Sequence, residues 1–314
     1  MSLKSDILNA LQQRTGAYIS GQELAEKSGK TRAAVWKAVK QLEKNGYKID
    51  AVTNKGYALT DDNDFLNEGR IKAAMKHDVK IVHYSEIDST NTQAKRLINS
   101  GEARETLLVT ADRQTAGRGR QGKSFYSPSG TGVYMSLVMH PNTLLQNAVT
   151  ATTAAAVAVC RAVERLADIK PQIKWVNDVY CGENKICGIL TEAVSDFELG
   201  VVTSVIVGIG INIKTNSFPD DVKNAGALNA DVKRADLIGA VADELLGIAF
   251  GDYSAFIDYY RSHSMILGKN INFIENGKVT PATAVAIDET GGLVVKTADG
   301  EEKTLKSGEI SIRW

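Results

Sequence analysis

Cysteine is scarce in this chain, and its placement argues against a protein held together by disulfides or zinc. The sequence has only three cysteines, Cys160, Cys181 and Cys187, and their spacing is not that of a disulfide framework. It does not match the paired ligands of a structural zinc site either, and the four histidines are scattered along the chain. We therefore expect reduced thiols and no transition-metal site built from protein side chains.

Long apolar runs are also missing. No segment has the roughly 18 consecutive apolar residues of a membrane-spanning helix, and the first residues show no hydrophobic signal segment. Tracts rich in proline or serine are absent too, which argues against long disordered segments. We expect a cytoplasmic protein, and 314 residues with 43% apolar content suffice for two or three packed domains.

Charge is balanced overall but unevenly distributed. Residues 1–60 hold 10 Lys and Arg against 5 Asp and Glu, whereas the remaining residues hold 27 against 32. A basic N-terminal part ahead of an acidic body predicts a polyanion partner for the N-terminal part alone.

The first sixty residues have the pattern of a helix-turn-helix. Apolar residues repeat at helical spacing in two groups, which are Leu3, Ile7, Leu8 and Leu11, then Val35, Val39 and Leu42. A second helix, whose apolar residue is Leu24, is predicted between them. Ser20 and Thr31 are predicted to cap the second and third helices, and Asn45-Gly46 to end the third. Gly29 supplies the sharp turn between the second and third helices, and two helices joined in this way form the motif.

A basic helix and a hairpin follow that turn. The outward positions of the third helix are Arg32, Lys37, Lys40 and Lys44. Residues 47–52 and 57–59 read as two strands around the turn 53–56, which forms a wing with Lys55 at its tip. The order of helix, turn, basic helix and wing predicts DNA binding through the major groove. The candidate contacts are Thr31, Arg32, Trp36, Lys37, Lys40 and Lys55.

Two points about this segment stay open. Trp36 either seals the edge of a small core or reaches the nucleic acid, and a helical bundle with a solvated basic face is the alternative to DNA binding. The acidic run at residues 61–64 is predicted to end this domain, which we place at residues 1–62.

Residues 117–124 match the P-loop expression, but their context does not. A P-loop opens a helix whose N-terminal amides bind the phosphates. Here the segment is followed by proline and glycine and then by a predicted strand at residues 133–139. What remains is a glycine-rich loop with Arg118 and Arg120, whose guanidinium groups suit carboxylate or phosphate oxygens. A surface loop with incidental arginines is the alternative.

Three other segments carry candidate groups. Thr90 and Gln93 fit a capping box at the start of a helix, and Ser89, Thr90 and Asn91 also suit a neutral polar ligand. Residues 173–180 place Lys174, Asn177 and Asp178 close together, where the carboxylate suits Mg²⁺ beside phosphates and Asn-Asp also suits a simple turn.

Lys185 stands at the mouth of an apolar strand, where it suits a carboxylate or phosphate or simply an exposed loop. Residues 201–213 read as a central strand, in which Gly208 and Gly210 permit something to approach closely.

Together these segments resemble the bifunctional biotin protein ligases, also known as biotin operon repressors. The motifs that carry the resemblance lie at residues 88–91, 117–122, 174–178, 185–190, 208–212 and 308–311, behind a winged helix that ends in Lys55-Gly56-Tyr57. The resemblance implies an α+β multidomain protein. A winged helix would precede a central mixed α/β domain (residues 66–268) like that of class II aminoacyl-tRNA synthetases. A C-terminal SH3-like β-barrel (residues 269–314) would follow, with strands at 285–287, 293–296 and 310–312.

The resemblance also implies the reaction and its partners. Biotin and Mg·ATP would give biotinyl-5′-AMP, and a lysine of a biotin carboxyl carrier protein would take up the biotin. The adenylate-bound protein would form a homodimer that binds operator DNA. The implied catalytic residues are Arg118, Arg120, Lys185 and Asp178, the last also holding Mg²⁺.

The implied ligand contacts divide between the two substrates. Those for biotin are Ser89, Thr90, Asn91, Gln114, Gly117, Arg118, Gly119, Arg120, Lys185 and Gly188. Those for the nucleotide are Arg120, Phe125, Lys174, Asn177 and Asn212. Two positions depart from the family pattern: Val176 replaces a usual proline and is expected to loosen its turn, and Gln121 replaces a frequent basic residue and is expected to alter loop closure.

Three rival functions remain open on the sequence. A ligase with a vestigial winged helix would biotinylate but not bind DNA, and a pure repressor would sense the adenylate without making it. The intact cations Arg118, Arg120 and Lys185 argue against the pure repressor. The lipoate ligases share the central fold but lack both the arginine-glycine loop and the winged helix.

The division into domains predicts separable effects of substitutions. Lys37→Ala removes a cation from the basic helix, so we expect weaker operator binding, measured by titration of labelled DNA, with ligation unchanged. Loss of both activities together would mean that the first domain is misplaced.

Overall fold

The computed structural model describes residues 3–14, 16–44, 47–60, 63–140, 148–196, 201–220, 222, 224–251, 254–275, 278–306 and 308–312. The chain divides into two compact units, Met1–Phe65 and Leu66–Trp314. Among the helices of the described residues, none combines the length and the apolar character that a membrane span requires.

The first unit has the predicted order of helices and strands. Its elements are α1 (Leu3–Gln13), α2 (Gly21–Ser28), α3 (Arg32–Lys44), β1 (Ile49–Val52) and β2 (Gly56–Leu59). Ser20 Oγ accepts a hydrogen bond from the Glu23 amide at 3.0 Å, and Thr31 Oγ1 accepts one from the Ala34 amide at 3.2 Å. Gly29 adopts φ 62°, the left-handed conformation that closes the turn after α2. Both predicted caps and the glycine turn are confirmed, while Asn45 and Gly46 lie outside the described residues.

A small core holds this unit together and extends beyond the acidic run. Its buried side chains come from all three helices and from the wing, and they include Ile7, Leu11, Leu24, Val35, Val39, Leu42 and Leu59. Phe65 joins them, and the buried Asn63 side chain accepts from the Lys48 amide and donates to the Lys48 carbonyl, both at 2.7 Å. The unit therefore runs three residues past the predicted end at residue 62. Asp61 and Asp62 lie outside the described residues.

The second unit is built on a seven-stranded mixed sheet. In chain order its elements are α4 (Glu68–Ala74), β3 (Lys80–Tyr84), α5 (Thr90–Asn99), β4 (Leu107–Ala111), β5 (Gly132–Met139), α6 (Ala148–Ala167), β6 (Gln172–Lys174), β7 (Asp178–Cys181), β8 (Asn184–Asp196), β9 (Val201–Asn212), α7 (Arg234–Phe250) and α8 (Ser254–Ser262). The strand order is β3-β4-β5-β9-β8-β7-β6, with β3 and β4 parallel and the other neighbours antiparallel. The predicted central strand is confirmed, because β9 is the fourth of the seven.

Both faces of this sheet are covered, and the strand sequences show why. Successive side chains of a strand point to opposite faces. On β9, Val205 and Val207 pack in the large core with α6 and α7, whereas Ile206 packs in a second cluster with Ala94 and Leu97 of α5. Full burial of each such aliphatic side chain contributes roughly 1.5–3 kcal/mol. Continuous apolar runs, rather than alternation, follow from burial on two sides.

A five-stranded antiparallel sheet ends the chain. Its strands are β10 (Asn270–Glu275), β11 (Lys278–Ile287), β12 (Leu293–Thr297), β13 (Glu302–Leu305) and β14 (Glu309–Ile312), in the order β13-β12-β11-β10-β14. All three predicted strands are confirmed within it. Trp175 Nε1 donates to the Gly291 carbonyl at 2.9 Å, and Thr150 Oγ1 of α6 donates to the Thr290 carbonyl at 3.2 Å. These bonds join the turn between β11 and β12 of the last sheet to α6 and to the turn between β6 and β7. Over the described residues β13 and β14 do not pair, so the sheet is seen as an open one.

The wing depends on one glycine, which makes its stability testable. Gly56 has φ +109°, and a Cβ atom there would lie 2.1 Å from the Ile19 carbonyl oxygen. That oxygen accepts a hydrogen bond from the Tyr57 amide, and the Ile19 amide donates to the Tyr57 carbonyl, so the added atom would disturb this pair of backbone hydrogen bonds. We expect Gly56→Ala to lower the free energy of opening by about 2 kcal/mol and to speed amide exchange at Ile19 and Tyr57 about 30-fold.

The matched control is Gly16→Ala. Gly16 also has positive φ, at +77°, but nothing lies within 4 Å of its added Cβ. It should show only the smaller cost of the left-handed conformation. Equal exchange rates in the two variants would contradict the steric explanation.

Candidate functional site

A narrow cleft lies on the α5 face of the central sheet, over strands β8 and β9. Most of the residues predicted to bind biotin or nucleotide line it: Ser89, Thr90, Asn91, Gln114, Arg118, Gly119, Arg120, Phe125, Asn177, Lys185 and Gly188. Its volume is only about 70 Å³. The structure thus brings residues from five separate sequence segments to one place.

The floor of the cleft exists because two glycines lack side chains. A Cβ atom on Gly208 would lie 2.1 Å from Asn91 Oδ1, and one on Gly210 would lie 2.4 Å from the Phe125 ring. Both residues are on the central strand β9, so the predicted close approach to that strand is confirmed. Phe125 lies on the floor, and its ring also comes within 3.3 Å of the Cβ position of Gly188, which explains why the cleft is narrow.

Neutral polar groups cluster at one end of the cleft. Gln114 Oε1 accepts from the Thr90 amide at 2.8 Å and from Thr90 Oγ1 at 3.1 Å, while Gln114 Nε2 donates to Ser127 Oγ at 2.8 Å. Ser136, fully buried on β5, donates to Asn91 Oδ1 at 2.6 Å. Amide and hydroxyl groups held in this way suit a neutral ligand with both donors and acceptors.

The predicted capping box at Thr90 and Gln93 is wrong. Ser89 is the N-cap of α5, with Oγ 3.5 Å from the Thr92 amide, so Thr90 is already the first helical residue. The Gln93 side chain does not reach back to a cap but donates to the Tyr84 hydroxyl at 2.9 Å. The Thr90 hydroxyl is therefore directed to Gln114, and the helix start and the site share these residues.

Arg118 forms an ion pair with Glu192 at the same cleft. Its Nη2 and Nη1 atoms donate to the two carboxylate oxygens at 3.0 and 3.2 Å, and Lys95 Nζ donates to one of them at 2.7 Å. Burial acts to raise the pKa of Glu192, but hydrogen bonds from Lys95 and Asn91 and the charges of Lys95 and Arg118 outweigh it and lower this pKa. Glu192 is thus an anion with two cationic partners.

The arginine-glycine loop does not form a P-loop. Residues 120–122 make one short 3₁₀ turn, Gly119 N donates to the Lys123 carbonyl at 2.7 Å, and the next regular element is the strand β5. The exclusion of the P-loop is confirmed. Gln121 itself takes φ 54° in that turn. Arg120 Nη1 donates to Asn177 Oδ1 at 3.0 Å, which ties the loop to the turn between β6 and β7.

A second cavity of about 190 Å³ shares three of these residues. It is lined by Arg120, Lys123, Lys174, Trp175, Asn177, Asp178, Lys185, Gly308 and Ile310. Lys185 Nζ pairs with Asp178 Oδ1 at 2.7 Å, and Asn177 Nδ2 donates to the same oxygen at 2.9 Å. Ile310 lies on β14 of the last sheet and Gly308 directly precedes that strand, so two parts of the second unit meet at this cationic cavity.

Three predicted positions lie beside these cavities rather than in their lining. Gly117 packs within the loop, where a Cβ would lie 2.3 Å from the Phe125 carbonyl oxygen. Asn212 is buried, with Nδ2 donating to the Gly226 carbonyl at 3.1 Å, and within the described part of the chain its Oδ1 has no hydrogen-bond partner. Val176 is buried beneath the site in a turn whose Trp175–Val176 peptide bond is cis.

A separate groove lies in the first unit, between the basic helix and the wing. Four of the predicted DNA contacts line it: Arg32, Trp36, Lys40 and Lys55. Trp36 is 52% exposed, so it does not seal the core. Thr31 caps α3, and Lys37 is exposed on that helix outside the groove lining.

Sequence reasoning missed four residues of the polar arrangement, namely Ser127, Ser136, Lys95 and Glu192. One signal was present, because Glu192 is a charged residue soon after the apolar run 186–190 and shares a face of β8 with Gly188 and Leu190. The other three have no distinguishing pattern in the sequence.

Because Asn91 packs so closely on Gly208, adding one methyl group at this position is predicted to lower the stability of the second unit. Gly208→Ala would displace Asn91, whose side chain is held by Ser136, Leu190 and Glu192. We expect the second unit to lose about 2–4 kcal/mol of stability, seen in calorimetry as a melting temperature lower by roughly 5–10 °C.

Gly247→Ala is the matched control on α7. Gly247 is exposed, and nothing lies within 4 Å of its Cβ position. Alanine there should raise stability by about 0.5–1 kcal/mol through helix propensity. A melting temperature for Gly208→Ala at or above that of the unsubstituted protein would refute the close approach.

Comparison with family models gives three matches along the chain. The biotin/lipoate A/B protein ligase family matches residues 84–212, an HTH domain matches residues 4–58, and the biotin protein ligase C-terminal domain matches residues 266–313. The first match spans all the residues that line the cleft, from Ser89 to Gly210.

Full-length relatives and solved structures agree with these matches. The chain is 35% identical to the bifunctional ligase/repressor BirA of Bacillus subtilis, over 99% of each chain, and 26% identical to that of Escherichia coli, over 95% of this chain and 94% of the relative. Among solved structures, the biotin protein ligase from Aquifex aeolicus in complex with biotin and ATP is similar with a TM-score of 0.63 and 28% identity, covering 75% of this chain and 99% of that one. The chain therefore belongs to the biotin/lipoate A/B protein ligase family, among its bifunctional ligase/repressor members.

Proposed function

We propose that this protein is an ATP-dependent biotin protein ligase and a biotin-responsive repressor. The observation that carries the ligase proposal is the cleft itself, in which Arg118, Arg120 and Lys185 converge beside a neutral polar end. A ureido ring with its N–H and C=O groups suits Thr90 and Gln114, and the cations suit the carboxylate at the other end of biotin.

The chemistry needs the cations because two anions must meet. A carboxylate oxygen of biotin attacks the α-phosphorus of ATP and pyrophosphate leaves, which gives biotinyl-5′-AMP. The amine of a carrier-protein lysine then attacks the acyl carbon, AMP leaves and the amine loses a proton. Preorganised positive charge from Arg118, Arg120 and Lys185 offsets the repulsion in the first step and stabilises the charge that develops on the phosphate.

The ligand needs more room than the cleft provides in its present form. Ligand pockets enclose about 300–1,000 Å³, well above the volume of about 70 Å³ seen here. Phe125 lies on the floor at the end of the arginine-glycine loop. We infer that the loop shifts Phe125 when biotin enters and then covers the adenylate, which excludes water from the mixed anhydride.

The second cavity suits the nucleotide phosphates. Lys174, Lys123 and Arg120 supply positive charge, and Asp178 is the one carboxylate among the described lining residues. That donor set fits Mg²⁺, which takes one or two carboxylates together with phosphate oxygens and would supply charge neutralisation there. Asn212 is the proposed contact for the adenine amino group, supported by its buried Oδ1 that lacks a partner among the described residues.

The first unit supplies the repressor function in this proposal. Arg32, Trp36, Lys40 and Lys55 line its groove and suit operator DNA, with Thr31 and Lys37 on the same helix region. The partners are the operator, a biotin carboxyl carrier protein in the cytoplasm and a second copy of the chain once the adenylate is bound. The first proposed domain ends at Phe65 rather than at residue 62, as its core requires. The other two proposed domains are residues 66–268 and 269–314, with the last sheet as an SH3-like barrel, which the match to the biotin protein ligase C-terminal domain supports.

Pyrophosphate exchange into ATP tests the first half-reaction directly. We expect exchange that requires biotin and does not occur with lipoate or without an acid. Arg118→Ala should lower kcat/KM for biotin about 100-fold, since it removes a donor to developing charge. Operator binding by protein preloaded with the adenylate should stay largely intact.

Arg165→Ala is a suitable control variant. Arg165 also pairs with a carboxylate, Glu244, at 3.1 Å, but it lies on α6 outside both cavities. Its exchange rate should match that of the unsubstituted protein. Normal adenylate yield in Arg118→Ala would refute the assignment of that residue, and exchange without biotin would refute the substrate.

A further inference from the structure

Glu192 lies next to the cleft without lining it. It follows Gly188 and Leu190 on one face of β8, and those two residues do line the cleft. The side chain of Glu192 is 16% exposed. A carboxylate buried to that degree needs partners, because unpaired it would be costly to keep charged.

Its partners come from two other segments of the chain. Lys95 Nζ and Arg118 Nη2 both donate to Oε1, at 2.7 and 3.0 Å, and Asn91 Nδ2 and Arg118 Nη1 both donate to Oε2, at 2.9 and 3.2 Å. Each carboxylate oxygen therefore accepts two hydrogen bonds. The anion joins the helix α5 and the arginine-glycine loop to the central sheet.

The geometry leaves Arg118 able to bind a second anion. The contact with Glu192 uses one N–H of Nη1 and one of Nη2, and a guanidinium has more donors than these, arranged in a rigid planar fork. Arg118 also lines the cleft, whereas Glu192 does not. With Lys95 included, the cluster has two positive charges and one negative charge, so it keeps a net attraction for an anionic ligand.

We propose that Glu192 is a positioning residue which, supported by Lys95, holds the Arg118 guanidinium at the cleft so that its remaining N–H donors meet an anionic oxygen of the substrate. This inference rests on the proposed role of Arg118 in binding the biotin carboxylate. The physical reason is preorganisation. A long arginine side chain on a glycine-rich loop loses conformational freedom when it binds an anion, and a fixed carboxylate removes that freedom beforehand.

Glu192→Gln tests the proposal because it keeps the size of the side chain and removes its charge. We measure biotin binding by calorimetry and pyrophosphate exchange with the full-length protein. The expected result is a KM and Kd for biotin raised about tenfold, with the KM for ATP changed less than twofold. Biotin-dependent exchange by the unsubstituted protein is measured in the same series. Absence of that exchange would refute the proposed ligase function, whereas an effect confined to the variant tests only the role of Glu192.

A double-mutant cycle separates positioning from a general structural effect. If Glu192 acts through Arg118, Glu192→Gln should cause no further loss of biotin affinity in an Arg118→Ala background. Glu244→Gln, which removes the charge from another paired carboxylate remote from the cleft, should change neither constant.

Two outcomes would overturn the proposal. Additive losses in the double variant would mean that Glu192 does not act through Arg118. Tighter biotin binding by Glu192→Gln would mean that Glu192 competes with the substrate for Arg118 instead of positioning it.

Discussion

The absence of side chains at two positions of β9, Gly208 and Gly210, is the constraint on which the site depends. Gly208 leaves the space for Asn91, and Gly210 leaves the space for Phe125, each closer to the strand than any Cβ atom would permit. Asn91 in turn contacts Ser136 and Glu192, and Glu192 holds Arg118. A single apolar strand with two glycines thereby supports both the neutral end and the charged end of the cleft.

Cations dominate the two cavities, yet the protein itself supplies their counterions. Arg118 pairs with Glu192 and Lys185 pairs with Asp178, while Arg120 donates to the amide oxygen of Asn177. Paired in this way, like charges are held near one another at a lower electrostatic cost, and they are already oriented when an anionic substrate arrives. For an enzyme that must bring a carboxylate to a phosphate, this arrangement is in place before either substrate binds.

The last sheet contributes to the site as well as to the fold. Gly291 accepts from Trp175, one residue from Lys174, and Gly308 and Ile310 line the cationic cavity. The order of the strands explains this placement, because β14 pairs with β10, which follows the helix α8 of the central part. Substitutions in the last sheet are therefore expected to change the shape of that cavity.

Much of this protein was determined by local sequence. Caps at Ser20 and Thr31, the left-handed turn at Gly29 and the apolar strands depend on interactions within a few residues or on simple periodicity, so they could be predicted. The motifs shared with the family also predicted most of the residues that line the cleft. Burial on both faces made β9 recognisable as a central strand.

Only the tertiary structure decided how the polar side chains pair. The sequence predicted Thr90 as a helix cap, but Ser89 is the N-cap and Thr90 donates to Gln114. This pairing could not be predicted locally, because Gln114 lies 24 residues away on the loop after β4. Lys95, Arg118 and Glu192 are far apart in sequence and carry no joint pattern, so their ion pairs follow from the sheet register and from where α5 packs. Interactions between residues close in sequence determine which helices and strands form. Hydrogen bonds and ion pairs between residues distant in sequence depend instead on how those elements pack, and packing is a property of the whole fold.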